Sequence, residues 1–335
     1  MKKTAKIITV AVCLVLTVLM CSCGTKKGGT DEPSSTSPHD SDKNYSAVFL
    51  QLDNNSDTSE IRNAFTARMR LLGYDEIKMK FDVKNADGDS EALAKNAAEL
   101  QDKSYDLVVA VGEAAAKAAK AAKLTAPCIF IGVRDPVKAG LADTAEVPGG
   151  NMTGSVFANS FEALIPVMQI SAPKLHSLGI VYDSTDESSK EFCENAQKLF
   201  SDSTYSVELM GAENENALIS AVNTLSSRVD ALYVPDDALI RDNISEIIEL
   251  CTANSKPVIA STQYAVSKGA LMCICTSNED ISKAAAELAD KVMQGEKISQ
   301  LPVASDLELT IFMNKAASNE FGIYAPENMK NLVLF

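Results

Sequence analysis

The chain has 335 residues, a formal net charge of −14 and no tryptophan. So acidic a chain is excluded as a nucleic-acid binder and as a protein that docks electrostatically on anionic lipid, because its own field opposes both. Its length allows two domains of ordinary size, each with its own core.

Lys2, Lys3 and Lys6 open the chain, and an uncharged apolar run follows from Ile7 to Met20. That run has the length of a signal-peptide core and is too short for a stable bilayer span. It ends in Leu19-Met20-Cys21-Ser22-Cys23-Gly24. Small residues before a cysteine mark a lipoprotein processing site. Cys23, preceded by Ser22, is therefore preferred for lipidation over Cys21, preceded by Met20. Residues 1–22 are read as the signal, and acylation of Cys23 as an extracytoplasmic anchor to the cell membrane. Residues 23–44 read as a flexible tether, since Gly, Thr, Ser, Pro and Asp bury too little apolar surface to order themselves. His39 lies in this tether and is excluded from catalysis.

About 290 residues remain, in which short apolar runs alternate with amphipathic helical patterns. That alternation signals parallel sheets wrapped by helices. Strands are predicted at 46–52, 77–83, 107–111, 128–132 and 152–157, with helices at 58–72, 90–102 and 114–122. The cycle then restarts, with strands at 177–182, 205–210, 231–234, 257–260 and 270–275. Helices at 187–200, 215–226, 239–253 and 279–294 alternate with them. A late strand at 307–314 arrives after the second run is complete and is expected to cross back to the first. The predicted fold is α/β, with two doubly wound parallel-sheet lobes joined by a multi-crossover hinge. Residues 45–157 plus about 303–335 form the N-terminal lobe, and 158–302 form the C-terminal lobe.

The five body cysteines, Cys128, Cys193, Cys251, Cys273 and Cys275, are odd in number and sit in apolar patterns. Buried free thiols are expected rather than a disulfide framework. Cys273 and Cys275 share one strand face, but no further cysteine or histidine stands near enough for zinc. No cofactor or metal is expected. His176 is the body's single histidine, in a polar turn. There is no phosphate loop, nucleophile elbow or histidine-carboxylate metal spacing, so an enzyme is not expected.

In open parallel sheets, ligands bind beyond the carboxyl ends of the strands. Here those positions are 51–55, 112–115, 134–136, 183–189, 235–237 and 261–264, mostly small or polar. Gly112 opens a helix whose free N–H groups can hold a carboxylate, with Ala114 and Ala115 beside it; a plain tight turn is the other reading. Asp135 before Pro136 looks like a helix N-cap and also suits a ligand ammonium. Of Asp236 and Asp237, one can cap the next helix and the other reach the ligand. Thr185, Ser188 and Ser189 offer hydroxyls for a cap or a carboxylate, as do Ser261 and Gln263. Without tryptophan, aromatic stacking falls to Tyr or Phe, with Tyr264 the first choice. Arg134 reads as a carboxylate clamp or as an exposed salt bridge. Asn151 and Thr153 are read as turn-shaping.

Several stretches resemble a known family: Val111-Gly112-Glu113-Ala114-Ala115, Asp135-Pro136-Val137-Lys138-Ala139-Gly140-Leu141 and Pro148-Gly149-Gly150-Asn151-Met152-Thr153-Gly154. Further ones are Asp230-Ala231-Leu232-Tyr233-Val234-Pro235-Asp236-Asp237 and Lys256-Pro257-Val258-Ile259-Ala260-Ser261. The chain is similar to substrate-binding lipoproteins of ABC transporters of the tryptophan/tyrosine-binding type, with a type I periplasmic-binding-protein fold. Gln51-Leu52-Asp53-Asn54-Asn55 and Arg134 depart from that pattern. The resemblance implies a monomeric receptor that captures a small molecule, an aromatic or other hydrophobic amino acid, by hinge closure and delivers it to an ABC permease. A sensor that presents ligand occupancy to a membrane receptor has the same fold and cleft, and stands as the alternative.

Overall fold

A computed structural model describes residues 43–101, 103–326 and 328–335. The signal, the lipidation cysteines Cys21 and Cys23, and the tether before Lys43 lie outside the described residues.

The first sheet grows from β1 (Tyr45–Gln51), α1 (Ser56–Leu71), β2 (Met79–Asn85), α2 (Ser90–Glu99), β3 (Leu107–Val111), α3 (Gly112–Ala121), β4 (Cys128–Val133) and β5 (Met152–Val156). Its five strands are all parallel, in the order β2-β1-β3-β4-β5. Both faces are covered, which explains the unbroken apolar runs in the central strands. Phe49, Val109 and Ile131 pack with Ile61, Phe65 and Met69 of α1. Leu50, Val108 and Phe130 pack with α2 and α3 through Leu93, Ala97, Ala115 and Ala119.

The second sheet draws on α4 (Phe161–Ser171), β6 (Ser177–Asp183), α5 (Glu187–Ser201), β7 (Ser206–Ala212), α6 (Glu215–Ser226), β8 (Ala231–Val234), α7 (Ala238–Ala253), β9 (Val258–Ala260), α8 (Gln263–Ser267) and β10 (Met272–Thr276). The chain continues through α9 (Asn278–Met293), β11 (Leu309–Met313), α10 (Lys315–Phe321) and β12 (Leu332–Leu334). The seven strands run β12-β11-β10-β9-β8-β6-β7. Helix α4 was not anticipated, because Pro166 interrupts its pattern; Ser160 starts it by accepting from the Ala163 N–H at 3.1 Å.

Two assignments are reversed. The late strand does not return to the first sheet: β11 pairs antiparallel with β10, Ile274 opposite Ile311. Its Ile311 and Met313 enter one core of the second lobe and Phe312 the other. The element that does return is α9, whose Ile281, Ala285, Leu288 and Ala289 fill the first-lobe core beside α1. An apolar helical stripe looks the same whichever core receives it, so lobe membership was not legible there. The tail 303–335 therefore contributes its strands to the second lobe, and 278–293 belongs with the first.

The chain accordingly passes between lobes at 157–160, at 276–278 and in 294–308, a multi-crossover hinge between two doubly wound lobes. The crossings are stitched together. The Thr276 N–H donates to the Ala158 carbonyl at 2.8 Å, and the Ala158 N–H to Thr276 Oγ1 at 3.0 Å. Ala304 bonds along β5, its N–H donating to the Gly154 carbonyl at 2.9 Å and its carbonyl accepting from the Val156 N–H at 3.0 Å. All five body cysteines are free and buried, with the Cys273 and Cys275 sulfurs 3.8 Å apart. Among the described residues no helix is long and apolar enough to cross a membrane, and no cluster of three or more His, Cys, Asp or Glu could hold a metal.

Candidate functional site

The carboxyl ends of strands in both sheets carry the side chains that join the lobes. After β4, Arg134 reaches Asp236, which follows β8 in the other lobe, at 3.3 Å. The other oxygen of Asp236 accepts from Arg241 of α7 at 2.6 Å. Gln263 of α8 donates to Glu60 of α1 at 2.8 Å, and Asn278 donates to the same Glu60 oxygen at 2.9 Å. Lys138 and Glu191 form a further, exposed pair across the gap.

This cluster sets half-buried charges of both signs side by side, with Glu60 at its exposed edge. Burial works to raise the Asp236 pKa, but Arg241 and Arg134 outweigh it and hold the carboxyl below the usual carboxylate range. Asp57, in the first turn of α1, goes the other way. Burial pushes it up to about 6, helped by Asp236 and Glu60 and opposed by Arg241 and the Asn278 amide. Asp236 raises the pKa of Arg241 in turn, against burial. Aromatic rings flank the cations. The Arg134 guanidinium lies 5.7 Å from the Phe157 ring centre and 5.1 Å from that of Phe192, and Arg241 lies 5.9 Å from Tyr264. Such a set offers anionic and cationic partners beside flat apolar faces, the requirements of a zwitterion with a ring.

The residues expected from the sequence separate into three groups. Asp236, Gln263 and Tyr264 stand in or against the cluster. Ser261 is buried next to it, its hydroxyl within bonding reach of the Tyr233 phenol. Asp237 and Ser189 form a second, structural group. Asp237 accepts from the Ile240 N–H at 2.8 Å as the N-cap of α7, from Ser189 Oγ at 2.6 Å and from the Asp183 N–H at 2.9 Å. These bonds commit its carboxylate to joining β6, α5 and α7. The remaining residues serve local turns or packing. Asp135 is exposed and accepts from the Val137 and Lys138 N–H groups, closing a turn; no helix starts there. Thr185 bonds Asp183, and Ser188 donates its N–H to Asp186, which caps α5 with a carboxylate where a hydroxyl was expected. Gly112 has φ +81° and Ala114 is exposed, whereas Ala115 is fully buried in the core. None of these joins the interlobe bonds among the described residues.

Replacing Asp237 should therefore act on folding. Asp237→Ala removes a cap and leaves buried donors unpaired, lowering the unfolding free energy by about 2–3 kcal/mol. Urea titration checks this, and an unchanged midpoint would count against the structural role.

Asp57, Glu60, Arg241, Asn278, Phe157 and Phe192 were missed. Asp57 lies six residues beyond the end of β1 and Arg241 seven beyond the end of β8, near helix starts, where a charge reads as local to the helix. Extending the strand-end windows 51–55 and 235–237 by one helical turn takes in both.

Comparisons with known proteins bear on the family and the fold. A family model described as ABC transporter substrate binding protein matches residues 47–333. A tyrosine-binding protein of Clostridioides difficile is 28% identical over 316 residues, covering 94% of this chain and 92% of its own. The structure of an ABC domain in complex with L-Trp from Streptococcus pneumoniae superposes with TM-score 0.78 at 25% identity, covering 87% of this chain and 100% of that one. A ligand-free, open structure of a substrate-binding protein with adhesive properties from Clostridium difficile gives TM-score 0.73 at 28% identity, covering 87% and 99%. The matched region spans both lobes and the hinge, and the chain belongs to the ABC transporter substrate binding protein family.

Proposed function

We propose that this chain is the extracytoplasmic receptor of an ABC importer, tethered as a monomer by a lipid on Cys23, and that it captures an aromatic or other hydrophobic amino acid by hinge closure. The observation that carries the reading is the interlobe cluster of Arg134, Asp236, Arg241 and Asp57 beside Phe157, Phe192 and Tyr264. A free amino acid needs a cation for its carboxylate and an anion for its ammonium, and both signs meet here. The relatives described as binding tyrosine and L-Trp support the choice of an aromatic side chain. Closure follows if the ligand binds the closed form more tightly than the open one. The bound molecule is then handed on chemically unchanged.

A thermal-shift screen of the mature chain against amino acids, nucleosides and sugars tests this. At a hundred times Kd a ligand stabilises by about 2.7 kcal/mol. Aromatic amino acids should raise the melting temperature and shrink the radius of gyration in solution scattering. Stabilisation by sugars alone, or saturation without compaction, would overturn the cargo or the closure respectively.

A further inference from the structure

Glu60, Gln263 and Asn278 form a closed ring of three hydrogen bonds beside the second crossing between the lobes. The Gln263 amide N–H donates to Glu60 Oε2 at 2.8 Å, and the Asn278 amide N–H donates to the same oxygen at 2.9 Å. The Asn278 backbone N–H completes the ring by donating to Gln263 Oε1 at 3.1 Å. Two helix starts meet here, with Gln263 the first residue of α8 and Asn278 the first of α9. The opening N–H groups of a helix have no partner within it. The α9 cap, Ser277 Oγ, accepts from the Asp280 N–H at 3.0 Å, which leaves the Asn278 N–H to Gln263. Both amide side chains are buried, Gln263 5% and Asn278 4% exposed, so a partner lost here leaves a polar group that water must reach.

The three residues divide unequally between the lobes. Glu60 lies on α1 and Asn278 on α9, and these helices share the first-lobe core through Ile61, Phe65, Ile281 and Ala285. Their mutual bond therefore persists at any hinge angle. Gln263 follows β9, and its neighbours Ala265 and Val266 are packed in the second-lobe core. Gln263 is the member that leaves when the lobes part, and it loses two bonds at once, one of them to a charged acceptor. All the partners belong to the chain, so closure remakes the ring with or without a ligand. We infer that Gln263, acting through Glu60 and Asn278, is a positioning residue: a brace that favours the closed form and sets how long a ligand stays, without touching it. The inference rests on the reading that the cleft closes on an amino acid. A ligand that enters the open form and is trapped by closure leaves at a rate governed by reopening, so loss of the brace acts on dissociation.

Solution scattering of the ligand-free mature chain, with stopped-flow binding of L-tyrosine and L-tryptophan, tests the assignment on wild type, Gln263→Ala, Glu60→Ala and Glu60→Gln. Ligand-free Gln263→Ala should have a larger radius of gyration than wild type. Its amino-acid dissociation should be roughly tenfold faster, with association within about threefold of wild type. Glu60→Ala, on the exposed edge of α1, should act in the same direction without unfolding the chain, which separates the brace from misfolding. Glu60→Gln keeps an acceptor and should stay within about threefold of wild type. Faster dissociation with an unchanged ligand-free radius would make Gln263 a ligand contact. Unchanged rates and radii in both alanine variants would show that water replaces the ring at no cost. Either result overturns the inference and leaves the cleft reading standing. If neither amino acid binds wild type, the cargo reading falls, and the ligand-free radii alone decide the brace.

Discussion

Asp236→Ala is expected to lose at least a hundredfold in amino-acid affinity and about 2–4 kcal/mol of stability, the order seen when one partner of a buried ion pair is removed. Asp236 accepts from Arg241 at 2.6 Å and from Arg134 at 3.3 Å, and its own side chain is only 17% exposed. Without it two guanidinium groups face each other in a half-buried gap, offset by Asp57, Asp53 and the neighbouring rings. Asp236→Asn keeps an acceptor and should lose about half as much. The pH dependence has a definite sign. Because the folded-state pKa of Asp236 is depressed, its stabilisation is present above the ordinary carboxylate value of 3.8 and is lost as pH falls through the folded value. The gap between wild type and Asp236→Ala should thus stay constant at neutral pH and narrow below about pH 4. Asp57 has the opposite sign. With its folded pKa raised to about 6, its burial is without cost below pH 3.8 and increasingly unfavourable as pH rises through 6. Urea unfolding at several pH values, with calorimetry at neutral pH, measures both effects. Wild-type stability and affinity in Asp236→Ala would mean that water screens this cluster and the ligand binds elsewhere.

Gly154→Ala should damage the fold far more than the same substitution at Gly112. A Cβ at Gly154 would lie 2.0 Å from the Phe130 carbonyl oxygen and 2.5 Å from the Phe130 ring. Neither neighbour can retreat. Phe130 is fully buried in the first-lobe core, and β5 is held on its other side by the Ala304 N–H bonded to the Gly154 carbonyl. A loss above about 4 kcal/mol is expected, enough to abolish soluble expression in a marginally stable protein. Gly112→Ala is the control. Its Cβ would meet nothing within 4 Å, so only the strain of φ +81° remains, about 1–2 kcal/mol. Expression yield and denaturation midpoints compare the two. A soluble Gly154→Ala chain as stable as Gly112→Ala would show that β5 can move away from β4.

Much of the architecture was legible because strand and helix periods differ and because buried parallel strands are apolar on both faces. Strands such as 107–111 and 231–234 stand at their expected positions. Which sheet a late strand joins was not legible, since the sequence 309–313 satisfies any edge that needs an apolar partner. The site was half legible. The rule about strand ends led to Asp236, Gln263 and Tyr264, and the division of labour between Asp236 and Asp237 came down to one peptide unit. The residue directly before Ala238 must turn its carboxylate to the Ile240 N–H, which leaves its predecessor free to face the other lobe. Glu60, Asp57 and Arg241 escaped because helical first turns carry charges for local reasons as often as for ligands.

The interleaving of α9 and β11 also constrains how this polypeptide can be made. The first core stays open until Ile281 to Ala289 of α9 arrive, and the second until Leu309 to Met313 and then Leu332 to Leu334 have emerged. Neither half can therefore complete its folding until most of the chain has been made. Nearly the whole length must exist before either lobe is closed. Contacts of such long sequence separation slow folding. That delay suits the extracytoplasmic receptor proposed above, which would have to remain threadable until it has left its site of synthesis.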